Sequence, residues 1–346
     1  MTAVSDTKLR NPSQSRARHG IGYRVAWFFL NNGIFVALVV EVLVFCLIGK
    51  EKFYSPAVLA IILQNASVVG IIMPFYTAAL ISGILDWSTT AVGALAGTLF
   101  AVLLTGYGWP WWLALLAAMG LAVSVGALNS WVVIRLRIPP IVATLVGSGV
   151  ATGVAFVLAD RFGQAMQVKV IVPALRQLWV VKPLGMPLTV YLMFVLYVLV
   201  YILLNHTRLG AHLYAVGASP EAARRSGINI SRLVVFMFTL LAALTALANM
   251  IHNARIMNAG PYLSPATTAS GAGIPVTLVG ALFAGIGLFG GTGRVEFTLV
   301  GLLFFSVLTV GMGVVGFPAQ FRVAVDGLAI ILALLLDSIR RYLSTR

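Results

Sequence analysis

The chain has 346 residues, of which 60% are hydrophobic and 9% are charged, and it carries a formal net charge of +14. Soluble domains have about 25% charged residues, so this composition leaves too little polar surface to cover a globule in water. The sequence therefore excludes a soluble globular protein and predicts an integral membrane protein.

The apolar segments have the length of membrane-crossing helices. A helix needs about 20 residues to cross a hydrocarbon layer of about 30 Å, whereas a barrel strand needs about ten. Windows with few charges predict about ten spans, at 27–48, 56–82, 88–106, 111–134, 139–159, 186–205, 233–253, 272–289, 296–316 and 322–339. The predicted fold class is an all-α integral membrane protein with about ten transmembrane helices, some of them broken or re-entrant.

The distribution of basic residues predicts how these spans are oriented. If the N-terminus is cytoplasmic, that side holds 15 Lys and Arg residues and the other side holds 8. Cytoplasmic loops normally carry such an excess, and an even number of spans places both termini in the cytoplasm. Residues 1–26 are then a basic cytoplasmic segment, residues 27–346 a single transmembrane domain, and residues 340–346 a cytoplasmic tail. Because the basic residues form no patch interleaved with aromatic residues, nucleic acid is not an expected partner.

A few polar side chains lie within or between the spans. Gln64, Asn65 and Asn129 carry amides that could bind the hydroxyl groups of a solute or make hydrogen bonds between helices. Asp86 lies between two spans, where a carboxylate is costly unless it faces water or a partner. Asp86 or Ser88 could instead cap the third span. The sequence leaves these alternatives open.

A polar stretch, GASPEAARRSGINI at 217–230, follows the sixth span. Ser219 is a good N-cap and Pro220 suits the first helical position, while Glu221 complements the positive helix end. Gly227 is a ready left-handed C-cap. The predicted short helix comprises Ser219, Pro220, Glu221, Ala222, Ala223, Arg224, Arg225, Ser226 and Gly227. Because a helix of about two turns is marginal in water, it must be docked, either as an ordinary capped loop or as a docking helix for another protein.

A glycine-rich run, LFAGIGLFGGTGRVEFTLVGLL, occupies 282–303 and has glycines at 285, 287, 290, 291 and 293. These glycines permit either a broken helix beside a cargo path or close packing of ordinary helices. Three of them match the GxGxxG spacing, but no βαβ unit surrounds them, so the run does not predict a nucleotide site.

Four stretches of the sequence carry a resemblance to a known family. They are TRLGAHL followed by YAVGASPEAARRSGINISR at 207–232, RLRIPPIVATL at 135–145, ISGILDWSTTAVGALAG at 81–97, and the glycine-rich run at 282–303. They resemble the permease subunits of ATP-binding-cassette importers of the ribose and simple-sugar type, in the superfamily that also holds branched-chain amino acid permeases. The chain departs from that family at Ile84 and Thr90, where glycine is usual, at Ile274, Pro275 and Val276, where acidic residues are frequent, and at Asp326, where lysine is common.

The resemblance implies that the chain is one subunit of a transporter made of several different proteins. It implies that the short helix of a coupling loop at 206–232 fits a groove of a separate ATPase, which would bind ATP and Mg²⁺. Two permease chains, identical or closely related, would enclose the path of a sugar or similar small polyhydroxylated solute through the bilayer of the bacterial cytoplasmic (inner) membrane. A periplasmic or lipid-tethered solute-binding protein would deliver this cargo, with the basic 160–182 segment as an expected contact. The expected pathway residues are Gln64, Asn65, Asp86, Ser88, Asn129, Gly285, Gly287, Gly290 and Gly291.

No arrangement typical of an enzyme is visible in the sequence. There is no Ser-His-Asp or Cys-His set and no GxxxxGK[ST] loop, and the histidines lack metal-ligand spacing. We therefore expect a transport subunit with no catalytic residue, metal or cofactor of its own. Within the importers, the alternative is a branched-chain amino acid permease. In a different class, an ion-coupled secondary transporter would need a buried ion or proton site, for which Glu41, Asp86 and Asp326 are the candidates.

Overall fold

The computed structural model describes residues 21–163, 167–264, 276–287 and 290–318, together with 321, 324, 325, 327, 328, 331 and 335. Helices dominate this part of the chain: α1 (Ile21–Gly49), α2 (Pro56–Ile81), α3 (Thr89–Thr105), α4 (Trp111–Arg135), α5 (Pro140–Phe162), α6 (Pro173–Val180), α7 (Leu188–His206), α8 (Arg208–Ala218), α9 (Pro220–Arg225), α10 (Ile230–Ile256), α11 (Val276–Phe283) and α12 (Val295–Val315). Two short strands, β1 (Val168–Lys169) and β2 (Asn258–Ala259), pair antiparallel.

Seven helices among the described residues are long and apolar enough to cross a membrane. They are the Gly33–Lys52 stretch and the helices α2, α4, α5, α7, α10 and α12. The apolar helix α3 is shorter, with 17 residues. The all-α membrane fold is therefore confirmed at this coarser level.

The number of ten spans and the cytoplasmic placement of both termini stay predictions. Within the predicted span 272–289, the structure describes the eight-residue helix α11 followed by non-helical chain around Gly285. Most of the predicted span 322–339, like residues 1–20 and 340–346, lies outside the described residues.

Local hydrogen bonds and backbone conformations set several helix boundaries. At the start of α2, Ser55 Oγ accepts from Val58 N at 3.4 Å, next to a proline in the first turn. At the start of α10, Asn229 Oδ1 accepts from Arg232 N at 3.0 Å. Gly316 ends α12 in the left-handed conformation, with φ of 86°. These are the usual chemical signals of helix starts and stops.

Helix α2 forms the centre of the bundle. In its most apolar window 67% of the residues are buried, compared with 11% for α1 and 22% for α4 and α5. It packs against α7, α10 and α12, and its Ile71, Met73 and Tyr76 are fully buried. The outer helices expose large apolar side chains such as Leu47 and Val146. Apolar side chains on both the inner and outer faces of a bundle fit a lipid environment.

The contact between α3 and α10 is a polar seam. Asn253 Nδ2 donates to Asn249 Oδ1 at 3.0 Å, and both side chains are fully buried. Gly93 and Gly97 of α3 face this pair, and a Cβ on Gly97 would collide with both Asn side chains. Small residues that admit buried amides are typical of membrane helix interfaces.

The bundle has two distinct ends. At one end, β1, β2 and α6 gather where α5 and α10 finish, and Val170 N donates to Met257 O at 3.0 Å. At the other end, α8 and α9 join α7 to α10. The segment predicted to lie outside, 160–182, and the predicted coupling loop, 206–232, therefore lie at opposite ends of the bundle.

Candidate functional site

The predicted coupling loop contains two consecutive helices with side-chain caps at their starts. Thr207 Oγ1 accepts from Gly210 N at 3.3 Å to open α8, and Ser219 Oγ accepts from Ala222 N at 3.3 Å to open α9. Gly227 follows α9 with φ of +83°. The short helix and its caps are confirmed, whereas α8 is a helix that the sequence reasoning missed.

Helix α9 is anchored by one buried apolar side chain, and its charged side chains are exposed to solvent. Ala223 is 3% exposed and packs in the main core with Leu213 of α8 and Leu233 of α10. Glu221 and Arg224 are exposed. Such a helix has a fixed position and a polar face that is open to a partner.

Three backbone segments meet next to the start of α9, at what we call the glycine junction: residues 81–83, 217–218 and 290–291. Gly291 N donates to Ile81 O at 2.8 Å. Gly217 lies so close to this bond that a Cβ on it would collide with Ile81 O and Gly291 N. The C-terminal end of α8 therefore packs tightly against both the C-terminal end of α2 and the chain that leads into α12.

A side-chain hydrogen bond strengthens the same contact. Tyr214 Oη in α8 donates to Gly293 O at 2.9 Å. Burial raises the pKa of Tyr214 and the Glu296 carboxylate raises it further, while Arg294 lowers it. The phenol therefore stays protonated at neutral pH and remains a donor. Arg294 and Glu296 themselves form an exposed ion pair at 3.2 Å.

The glycines predicted to line the cargo path lie between α11 and α12. Gly290 and Gly291 take positive φ values of 85° and 79° and belong to the glycine junction. Gly285 N donates to Leu282 O just after α11, and Gly287 N donates to Thr292 O within the same turn. Nothing in the sequence indicated that this run touches the coupling loop.

Asp86, Ser88 and Asn129 form one buried network that joins α2, α3 and α4. Asp86 Oδ1 accepts from Ser88 N and Ser88 Oγ, both at 2.7 Å. Asn129 Nδ2 donates to Ser88 Oγ at 3.1 Å, and Tyr76 Oη donates to Asp86 O at 2.9 Å. The exposed fractions of the three predicted residues are 3%, 1% and 4%. This geometry favours interhelical hydrogen bonding over cargo contact, although Ser88 makes no capping bond to α3.

The predicted pathway residues Gln64 and Asn65 accept hydrogen bonds from an arginine of another helix. Arg255 in the last turn of α10 donates to Asn65 Oδ1 at 3.3 Å and to Gln64 Oε1 at 3.4 Å. Its guanidinium carbon lies 4.7 Å from the ring centroid of Trp179 in α6. The sequence reasoning ended the seventh span at residue 253 and so placed Arg255 in a loop.

Two of the three candidate ion-binding carboxylates, Glu41 and Asp86, lie in the described part of the chain. Both Glu41 oxygens are buried with no hydrogen-bond partner among the described residues, Asp86 belongs to the network above, and Asp326 lies outside the described residues. In the described part of the chain, no group of three His, Cys, Asp or Glu side chains could hold a metal ion.

A bundle of apolar helices long enough to cross a bilayer is the architecture of a multi-pass membrane protein. Residues 58–334 match the family described as the permease component of the branched-chain amino acid transport system, and the chain belongs to that family.

Named relatives agree with the resemblance seen in the sequence. The chain is 29% identical over 329 residues to the ribose import permease protein RbsC of Escherichia coli (strain K12), covering 90% of this chain and 95% of that protein. It is 28% identical over 306 residues to the fructose import permease protein FrcC of Rhizobium meliloti, covering 87% and 83%. It is 25% identical over 259 residues to the L-arabinose transport system permease protein AraH of Escherichia coli (strain K12), covering 75% of each chain. No solved structure matches the chain.

These matches confirm the identification as a permease of the ribose and simple-sugar type, and they place the chain among transport subunits.

Proposed function

We propose that the chain is the membrane-spanning subunit of an ATP-driven importer that moves a sugar or a similar small polyhydroxylated solute across the bacterial inner membrane. A separate ATPase binds ATP and Mg²⁺, a second permease chain completes the path, and a periplasmic or lipid-tethered protein delivers the solute.

The observation that carries this proposal is how α9, the expected coupling helix, packs on the rest of the protein. Helix α9 presents Glu221, Arg224 and Arg225 to solvent while Ala223 anchors it in the core. Through α8 it reaches the glycine junction, where Gly217 contacts backbone atoms of two other segments. A displacement of α9 is passed on because backbone atoms in direct contact cannot absorb it by changing a rotamer.

Through this contact, a movement caused by the ATPase can reach helices other than the two that flank the coupling loop. The helices that flank the coupling loop are α7 and α10, but the glycine junction adds the C-terminal end of α2 and the chain that leads into α12. Since α2 is the most buried span, a push at its end reaches the centre of the bundle.

The opposite end offers a surface for the delivery protein. Lys169, Arg176 and Lys182 are exposed there. Exposed apolar side chains lie beside them, with Ile171 at 72% and Leu184 at 95% exposure. Basic side chains steer an acidic partner, and exposed apolar ones supply contact area.

Relatives named for ribose, fructose and L-arabinose support a sugar as cargo. The amino acid alternative stays open because the family description names branched-chain amino acids.

Uptake by proteoliposomes tests the proposal. Vesicles that hold the chain with its co-purifying ATPase and solute-binding protein should accumulate labelled D-ribose, D-fructose, D-allose or L-arabinose only with ATP on the ATPase side. Uptake of leucine alone would favour the amino acid alternative. Sugar uptake that needs no ATP and collapses with a protonophore would support an ion-coupled transporter and contradict the proposal.

A further inference from the structure

Arg255 is a cation near the end of a membrane-spanning helix without an acidic partner in the described part of the chain. In the described part of the chain, the ion pair that forms joins Arg294 to Glu296, and it lies at the opposite end of the bundle from Arg255. Arg255 is half-buried. An arginine near the end of a span usually extends to the membrane interface, whereas one that is held by side chains of neighbouring helices indicates a functional site that faces water or a cavity.

The position of the guanidinium is fixed from three sides. Asn65 Oδ1 and Gln64 Oε1 on α2 accept from two different nitrogens of Arg255, at 3.3 and 3.4 Å. The indole of Trp179 lies against the guanidinium, and Trp179 Nε1 donates to Ile251 O at 3.0 Å, which ties the ring to α10. Trp179 is therefore a positioning residue: it holds the cation at the meeting point of α2, α6 and α10.

The cluster has more donors than acceptors. A guanidinium carries five N–H groups, and the hydrogen bonds above engage two nitrogens through one bond each. The amide oxygens of Gln64 and Asn65 are occupied, while in the described part of the chain neither amide nitrogen donates a hydrogen bond. The free N–H groups of this cluster suit a ligand that is rich in acceptor oxygens.

The polar character continues inward along α10. His252 precedes Arg255 by three residues, and its Nδ1 is buried without a hydrogen-bond partner in the described part of the chain. Residues three apart are neighbours on a helix surface, so His252 extends the polar surface from Arg255 by one turn toward the middle of the bundle.

We propose that Arg255, Gln64 and Asn65 form a binding site for the hydroxyl groups of the cargo, which it meets soon after it enters the bundle from the end that carries β1, β2 and α6. This proposal rests on the proposed function. Hydroxyl oxygens accept from the free N–H groups, and the planar guanidinium can address two adjacent hydroxyls at once. Because the cargo brings no opposite charge, it is oriented without being held tightly.

An isosteric substitution tests this site. Asn65→Asp places a carboxylate where an amide oxygen already accepts from Arg255, so the guanidinium gains a charged partner and the site loses two amide donors. In the proteoliposomes described above, sugar uptake should fall about tenfold or more, while ATP hydrolysis stimulated by the loaded binding protein stays within about twofold of wild type. The relative uptake of D-ribose, D-fructose, D-allose and L-arabinose should also change. Arg255→Lys, which keeps the charge but loses the planar fork, should act in the same direction.

Asn205→Asp is the matched control, because Asn205 is exposed near the end of α7 at the other end of the bundle. It should leave uptake and sugar preference unchanged. Wild-type uptake and preference in Asn65→Asp would overturn the cargo site. A parallel fall of uptake and ATP hydrolysis with unchanged preference would also overturn it, because this is the result of a purely structural cluster. These two outcomes can be read only if the wild type takes up sugar in an ATP-dependent way. If the wild type shows no such uptake, the proposed function itself is overturned.

Discussion

The substitution Gly217→Ala tests the glycine junction most sharply. Gly217 lies within α8 and has an ordinary helical backbone, so alanine is conformationally allowed there. The difficulty is space, since the added Cβ would collide with Ile81 O and Gly291 N. These two atoms form the 2.8 Å hydrogen bond that joins the end of α2 to the glycine-rich run.

The magnitude follows from three contributions. Overpacking costs about 1–3 kcal/mol, and loss of the hydrogen bond costs about 0.5–1.5 kcal/mol. Alanine in a helix returns about 1 kcal/mol relative to glycine. The net destabilisation of the junction is therefore about 0.5–3.5 kcal/mol, and its midpoint of about 2 kcal/mol changes the population of a conformational state by more than tenfold.

The assay measures sugar transported per ATP hydrolysed, together with the melting temperature of the purified complex. Gly217→Ala should lower the transport-to-hydrolysis ratio about fivefold or more while the ATPase stays bound. Gly120→Ala is the control, because a Cβ at Gly120 in α4 would meet nothing within 4 Å. A wild-type ratio and an unchanged melting temperature in Gly217→Ala would refute the idea that the junction transmits the ATPase movement.

Three further substitutions probe other parts of the account. Gly97→Ala should destabilise the protein by about 1–3 kcal/mol, because the new Cβ collides with Asn249, and its melting temperature in detergent should fall. Ser219→Ala should weaken the start of α9 by about 1 kcal/mol, and its co-purification with the ATPase should decrease while the melting temperature changes little. Asp86→Ala should remove the acceptor of both bonds from Ser88 and lower stability by about 1–3 kcal/mol, and a stability equal to wild type would argue against a structural role for this carboxylate.

The membrane fold and the short capped helix could be predicted because both depend on local chemistry. Long apolar windows identify spans whatever their neighbours are. The pattern from Ser219 to Gly227 contains all the signals that start and stop α9, and the structure has that helix at Pro220–Arg225. Helix α8 was missed because its two glycines lower the helix propensity, whereas packing against α2 and α7 overrides that preference.

The glycine junction and the Arg255 cluster could not be predicted because they depend on distant segments. No periodicity in the sequence joins Gly217 to Ile81 and Gly291, which are neighbours only after the bundle has formed. A lone arginine at the end of an apolar run normally indicates a loop. Arg255 instead stays helical because Trp179, Gln64 and Asn65 supply its contacts from two other helices.

The central claim is that α9 is where the ATPase meets this chain. A photo-crosslinking amino acid at Glu221, exposed in α9, and another at Leu184, 95% exposed at the opposite end, test it in the assembled complex. Both positions lie on the surface, so neither substitution should affect folding. We expect the ATPase to crosslink from Glu221 and the solute-binding protein to crosslink from Leu184. An ATPase that crosslinks from Leu184, or that fails to crosslink from Glu221 in a transport-active complex, would contradict the claim.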